Sequence, residues 1–364
     1  MSQQQQNISP HQTHIFKKNE MILHRYEVKK QLSSEGNFSL IFIVIDHQQN
    51  NTEKILKVLN FANYITRNPK IIELFKREYQ ALCALNIFQH PGIPKVDNDG
   101  YLEFTHNHQI LYCIVMEKIA GANLKNWLQK HRNNQGISEE RAINWMRQLL
   151  DILNHIHPGY LHRDIKPDNI ILRTNGQLVL IDFGAVKEIT HRTQFPSNAI
   201  SNTTIGTLGY TSPEQNNYSG EFNEQLPYQS DYFSLGRTFV HLLTGKAPHE
   251  LENKDSKLIW RNKCSQKISN EFKNLIDWMM EYDYKNRPKN TQEILDSLYE
   301  IDISKRKYWK AFISLWYVLI SVILQIGFLI LLKTQLSLGI FVLLVVIVLV
   351  NSGFMLFPYF KILK

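Results

Sequence analysis

Two short runs near the start of the chain, Tyr26–Leu32 and Leu40–Asp46, alternate apolar and polar side chains as half-buried strands do. "KILKVL" at 54–59 predicts a further strand, and "LYCIVMEKIAGANL" at 111–124 opens as another. Two segments switch to helical spacing. "FKREYQALCAL" (75–85) places Phe75, Ala81, Leu82 and Leu85 on its inward side. "SEERAINWMRQLLDILNHIH" (138–157) repeats Ile143, Met146, Leu150, Leu153 and Ile156, with Ser138 positioned as the N-cap. Beyond it, "YLHRDIKPDNIIL" (160–172) and "LVLIDFGAV" (178–186) set polar loops against short apolar strands.

The end of the chain has a different pattern. From Ala311 to Leu332 the clearly polar interruptions are Ser314, Ser321 and Gln325, and after Lys333-Thr334-Gln335 a second apolar run covers Leu336–Phe357. Each run is long enough for a hydrocarbon core of about 30 Å, so the pattern predicts two transmembrane helices. "KRKYWK" precedes the first and "KILK" follows the second, which places both ends on the cytoplasmic side. A turn of this length holds no sensor domain, so the hairpin reads as an anchor in a lipid membrane, with the chemistry confined to residues 1–304.

Charge sharpens that division. The 364-residue chain has a formal net charge of +8. Seven of its basic residues, and no acid, lie in 305–364, leaving 34 basic against 33 acidic side chains before them. A nearly neutral body excludes the broad basic face of a nucleic-acid-binding domain, so no nucleic-acid partner is expected. Cys83, Cys113 and Cys264 are too scattered for a metal or redox motif and read as free thiols in a reducing compartment. The opening "MSQQQQNISPHQTH" is polar and reads as disordered.

Asp164, Lys166, Asn169 and Asp182 fall on the loops beside the short apolar strands. An acid, a cation, an amide and a second acid suit phosphoryl transfer, which needs hard oxygen ligands for a metal, positive charge for phosphate oxygens and an acceptor for the nucleophile's proton. The ordered pair H-R-D-x-K-P-x-N and D-F-G resembles the catalytic and metal-binding loops of protein kinases, particularly the eukaryotic-like serine/threonine kinases of bacteria. That resemblance extends over residues 25–301.

It implies an α+β, two-lobed fold. A disordered polar tail would occupy 1–20, a small β-rich lobe and hinge 21–118, and a large mainly helical lobe 119–303. A basic juxtamembrane segment and the hairpin would fill 304–364, as a two-span membrane protein with the kinase domain and C-terminus cytoplasmic. The implied cofactors are ATP and Mg2+, and the partners protein substrates with serine or threonine hydroxyls. Lys57 would grip the α- and β-phosphates and pair with Glu78, and Met116 would stand beside the adenine as gatekeeper. Glu117 and Lys118 would offer hinge backbone to the adenine edge. Asp164 would accept or orient the substrate proton, Lys166 would neutralise charge on the transferring group, and Asn169 and Asp182 would hold the metal. Lys166 is also the family's mark of serine/threonine specificity. His162 and Phe183 read as packing residues of an internal spine, Asp231 as a hydrogen-bond partner of the catalytic-loop backbone, and Arg287 as the partner of Glu214.

Two departures from the family pattern stand out. Its loop G-x-G-x-x-G is here Ser33, Gly36 and Ser39 in the glycine places, with Glu35 resembling an insertion and Phe38 at the tip. Ile55 replaces the usual alanine of the adenine roof. Weakened ATP affinity is the expected cost. The segment ending in Ser212-Pro213-Glu214 resembles an activation loop, with Thr203, Thr204 and then Ser201 as candidate phosphosites and Arg163 as partner for their phosphate. Autophosphorylation there implies a homodimer acting in trans as one arrangement. Thr207 matches the threonine that contacts the catalytic Asp and Lys. The competing reading is a membrane-tethered pseudokinase serving as a binding or scaffold module.

Overall fold

The computed structural model describes residues 15–33, 39–59, 69–188, 207–216, 227–253 and 257–334. The chain divides into two units, Met1–Ser297 and Leu298–Lys364.

In the first unit, strands β1 (Met21–Ile22), β2 (Tyr26–Ser33), β3 (Ser39–Asp46) and β4 (Thr52–Leu59) precede helix α1 (Pro69–Asn86), followed by β5 (Val96–His106) and β6 (Gln109–Glu117). The six strands form one antiparallel sheet in the order β1-β2-β3-β4-β6-β5. Alternation explains its burial: Phe42 and Val44 of β3, with Leu56 and Val58 of β4, enter the core with Leu111, Cys113 and Val115 of β6. Ile71 and Phe75 of α1 join this core, and Ala81, Leu82 and Leu85 are also buried.

The core also extends upstream of the expected domain start. Phe16 is buried, edge-on to Phe42 at 5.4 Å and stacked with Phe104 at 6.4 Å. The backbone carbonyl of Ile15 lies 3.0 Å from His106 Nε2, and the Asn19 N–H donates to Val28 O at 2.8 Å. A polar tail through residue 20 is therefore too long by at least five residues. One aromatic anchor in a polar stretch gives no periodic signal, so pattern reading passes over it.

A glycine marks the passage to the helical half. Gly121 has φ +154, and a Cβ there would come within 2.2 Å of Leu172 O. Next come β7 (Ala122–Asn123), α2 (Leu124–Arg132) and α3 (Glu139–Ile156), followed by β8 (Tyr160–Leu161), β9 (Ile170–Leu172), β10 (Leu178–Leu180) and β11 (Lys187–Glu188). The Ser138 hydroxyl accepts the Arg141 N–H at 3.4 Å at the start of α3, and all five apolar residues read from its spacing are buried. Helices α4 (Pro213–Asn216), α5 (Gln229–Thr244) and α6 (Asn270–Met279) complete the half before α7 (Thr291–Thr334). Buried Leu235, Phe239 and Leu242 give α5 its place inside. It ends at Gly245, whose φ of +74 closes the helix, and a side chain there would collide with Asn134 O.

The second unit is described as far as Thr334, and its described residues are all helix. Phe312, Leu315, Val318, Val322 and Ile326 are exposed, and Trp309, Phe312 and Trp316 stack successively at 5.4 and 6.4 Å. Thr291–Gly327 contains a stretch long and apolar enough to cross a membrane. The run Leu336–Phe357 lies outside the described residues.

Candidate active site

β4 delivers Lys57 inward, and α1 delivers Glu78 against it. Lys57 Nζ donates to Glu78 Oε1 and Oε2 at 2.6 and 2.8 Å, and to Asp182 Oδ1 at 2.7 Å. One ammonium thus serves two carboxylates. Burial opposes its charge, but the two acids outweigh burial and raise its pKa above the ordinary lysine value. Burial raises the Glu78 carboxyl, whereas attraction to Lys57 lowers Asp182 to about 2. Asp182 sits among buried groups while 45% of its side chain remains open to solvent. Gly184 keeps this junction clear: a Cβ there would stand 3.2 Å from Glu78 Oε2 and 3.4 Å from Lys57 Nζ.

The sign of the pH dependence follows from Asp182. Its folded pKa lies below the ordinary 3.8, so its pairing contributes stability above about pH 4 that is lost as pH falls towards 2. Acid unfolding followed by circular dichroism is expected to show this slope in the natural protein and a flatter one in Lys57→Met.

Three polar side chains meet at Asp164. Lys166 Nζ donates to Oδ2 at 2.7 Å, Asn169 Nδ2 donates to the same oxygen at 2.8 Å and to the Asp164 carbonyl at 2.9 Å, and the Thr207 hydroxyl donates to Oδ1 at 2.9 Å. Lys166 Nζ also donates to Thr207 Oγ1 at 2.5 Å. Asn169 spends its amide nitrogen on Asp164, which leaves Oδ1 as the acceptor atom of the group. The Ile181 N–H donates to Asn169 O at 2.8 Å, tying Asn169 to the residue before Asp182. A carboxylate and an amide oxygen fixed in this way are hard donors of the kind Mg2+ takes, with water and phosphate filling its remaining positions.

The loop is held from below by Asp231 of α5. Its carboxylate accepts the N–H groups of His162 and Arg163 at 2.9 and 2.8 Å, and His157 Nε2 lies 3.1 Å from it. Burial alone would raise this carboxyl, but the bonds from His157 and the backbone lower it below the usual aspartate range. Arg163 and Asp182 adopt left-handed backbone, φ 68 and 65, a strain of about 1–2 kcal/mol each that these contacts hold in place. His162 is fully buried, edge-on to Phe183 at 5.0 Å, and burial keeps its imidazole neutral. It packs here.

Met116 faces Ile55 directly across β4 and β6, so the added bulk of Ile55 stands beside it. The Glu117 N–H donates to Lys95 O at 2.8 Å, so that hinge donor is already engaged, and Lys118 Nζ extends to Glu53 at 2.5 Å. Ser33 ends β2, its Cα opposite Ile41. Gly36, Phe38, Ser201, Thr203 and Thr204 lie outside the described residues.

Some contacts give no motif signal. Gln215 Nε2 donates to Arg163 O at 2.8 Å, and Ser230 Oγ donates to Glu214 Oε1 at 2.7 Å. Pairing of polar residues far apart in sequence is invisible to spacing. Ser212 has a buried hydroxyl with no hydrogen-bond partner among the described residues. Removing such a group relieves a desolvation cost, so Ser212→Ala is expected to stabilise the protein by about 1 kcal/mol in a denaturant titration.

Comparison with known proteins agrees with this geometry. The family described as "Protein kinase domain" matches residues 26–299. Serine/threonine-protein kinase PknA of Nostoc sp. is 35% identical over 288 residues, covering 77% of this chain and 48% of that protein. Serine/threonine-protein kinase B of Synechocystis sp. is 33% identical over 234 residues, 62% of this chain and 38% of that protein. PrkC of Bacillus subtilis, also a serine/threonine-protein kinase, is 28% identical over 233 residues, 63% and 32% respectively. The chain thus spans about half or less of the length of these curated relatives. With the family match covering most of its residues, the chain belongs to the protein kinase domain family.

Proposed function

We propose that this protein is an ATP- and Mg2+-dependent serine/threonine protein kinase, anchored to a membrane by its C-terminal apolar runs. The observation that carries the reading is the convergence of Lys166, Asn169 and Thr207 on the Asp164 carboxylate, beside the Lys57–Glu78–Asp182 junction. A substrate hydroxyl placed at Asp164 forms its bond to the γ-phosphorus as the bond to the β,γ-bridging oxygen breaks. ADP leaves, and Asp164 accepts or orients the hydroxyl proton. Lys166 offsets charge on the transferring group, and Lys57, fixed by Glu78, binds the α- and β-phosphates. Asn169 and Asp182 would hold Mg2+, which would supply positive charge against the phosphates. Most of the rate enhancement then comes from alignment and preorganised charge.

Substrate choice follows from Lys166 and Thr207 at the acceptor position, and the names of the relatives support serine and threonine. The presence of Lys57, Glu78, Asp164, Asn169 and Asp182 together supports an active enzyme over a binding-only module. Residues 1–20, 21–118, 119–303 and 304–364 remain our division of labour along the chain, with the first shortened as the Phe16 packing requires. The exposed apolar stretch of α7 supports one span, and the sequence of 336–357 a second. Basic flanks put the kinase body and C-terminus in the cytoplasm. Thr203 and Thr204 are the phosphosites, filled in trans by a second copy.

The test uses the full chain in detergent micelles with γ-labelled ATP and Mg2+. Label is expected in phosphoserine and phosphothreonine, including Thr203 or Thr204 by mass spectrometry. Label confined to phosphotyrosine, or absent altogether, would overturn the reading.

A further inference from the structure

The Glu117 carboxylate is shared between the two halves of the fold. Its Oε2 accepts the Lys95 N–H at 3.2 Å, and the Glu117 N–H returns a bond to Lys95 O at 2.8 Å, so this residue is fixed to the sheet half. Its Oε1 accepts Arg173 Nη2 at 2.7 Å. Arg173 belongs to the other half. It directly follows β9, and the β9–β10 turn holds it through Arg173 N–H to Gln177 O at 2.8 Å and Gly176 N–H to Arg173 O at 3.0 Å.

Topology makes this contact more than a surface ion pair. The chain leaves β6 at Glu117, crosses residues 118–121 and enters β7 at Ala122, which pairs with Leu172 of β9. Leu172 is the residue before Arg173. The ion pair therefore closes a small ring: Glu117, the four hinge residues, Ala122, its partner Leu172, and Arg173 back to Glu117. Rotation of one half against the other about 118–121 must bend or break that ring. Gly121, pressed against Leu172 O, leaves the hinge little room to absorb the motion elsewhere. Both side chains are about a quarter exposed, and Arg173 Nε is buried with no acceptor among the described residues, so Glu117 is what holds this guanidinium.

We infer that Glu117–Arg173 is a latch across the hinge that resists opening of the cleft and so slows nucleotide release. Arg173 is a positioning residue, acting through the hinge and touching no reacting group. The inference rests on the nucleotide-binding reading above. An ion pair this exposed adds little to global stability, but breaking it during opening is felt directly in the release rate.

The experiment is stopped-flow release of a fluorescent ADP analogue from the full chain in detergent micelles with Mg2+, together with steady-state kinetics. Arg173→Met is expected to raise the release rate and the KM for ATP by about two- to fivefold, the range an exposed pair supplies. Its kcat should not fall and its melting temperature should stay within about 2 °C. Arg173→Lys should recover part of the change, and 1 M salt should bring the natural protein towards Arg173→Met, since screening weakens the pair. Release and KM unchanged in Arg173→Met, with the natural protein binding the analogue, would overturn the latch and leave the kinase reading intact. A natural protein that does not bind the analogue would overturn that reading and the latch with it.

Discussion

Asp164→Asn is expected to lower kcat by about 10²–10⁴-fold, the range for loss of a positioned general base, while nucleotide affinity changes little. The amide keeps the size of the carboxylate, so the loop should retain its shape. It removes the charge that Lys166 and Asn169 both face at Oδ2, and replaces one acceptor with a donor. The Thr207 hydroxyl and the Lys166 ammonium then meet a group unable to take a proton. Nucleotide contacts are assigned to Lys57 and Asp182, which are joined to each other and not to Asp164. Single-turnover phosphotransfer, alongside titration with a fluorescent ADP analogue, separates the two effects. Turnover within tenfold of the natural protein would remove Asp164 from the chemistry.

Arg287→Met should be the most destabilising single change, at about 3–5 kcal/mol. The Arg287 side chain is fully buried, gives Glu214 two bonds at 2.7 and 2.9 Å, and donates to the carbonyls of Gln229, Glu281 and Tyr282. Phe233 lies beneath the guanidinium at 4.8 Å. Methionine fills part of the volume but strands a carboxylate and three carbonyls. Burial pushes the Glu214 carboxyl up, and the bonds from Arg287 and Ser230 hold it below the usual glutamate range. A group with a lowered folded pKa adds stability above its ordinary pKa and loses it as pH falls. That slope should disappear in the variant. Thermal unfolding should shift down on the order of 10 °C, and a shift under 2 °C would refute the account.

Lys57, Glu78, Asp164, Asn169 and Asp182 lie on elements whose periodicity or motif is local, so their neighbourhoods could be read from the chain, and the structure brings Lys57 to Glu78 and Asp164 to Lys166. The five apolar positions of α3 were equally legible, because a buried helix face repeats. Arg173, Gln215 and Ser230 were not. Each meets a partner brought near by sheet pairing or helix packing, and nothing in their own segments marks the meeting. The hinge donor at Glu117 is a related case: the strand was visible, but its bond to Lys95 depends on β5 register.

The buried ring of Phe16 has a practical side. The family match opens at residue 26, ten residues after an aromatic side chain that plugs the outer sheet between Phe42 and Phe104. Boundaries drawn by similarity would therefore cut away a piece of the hydrophobic interior, exposing two phenylalanines to water. Any version of this protein trimmed for study should keep the segment from Ile15 onward.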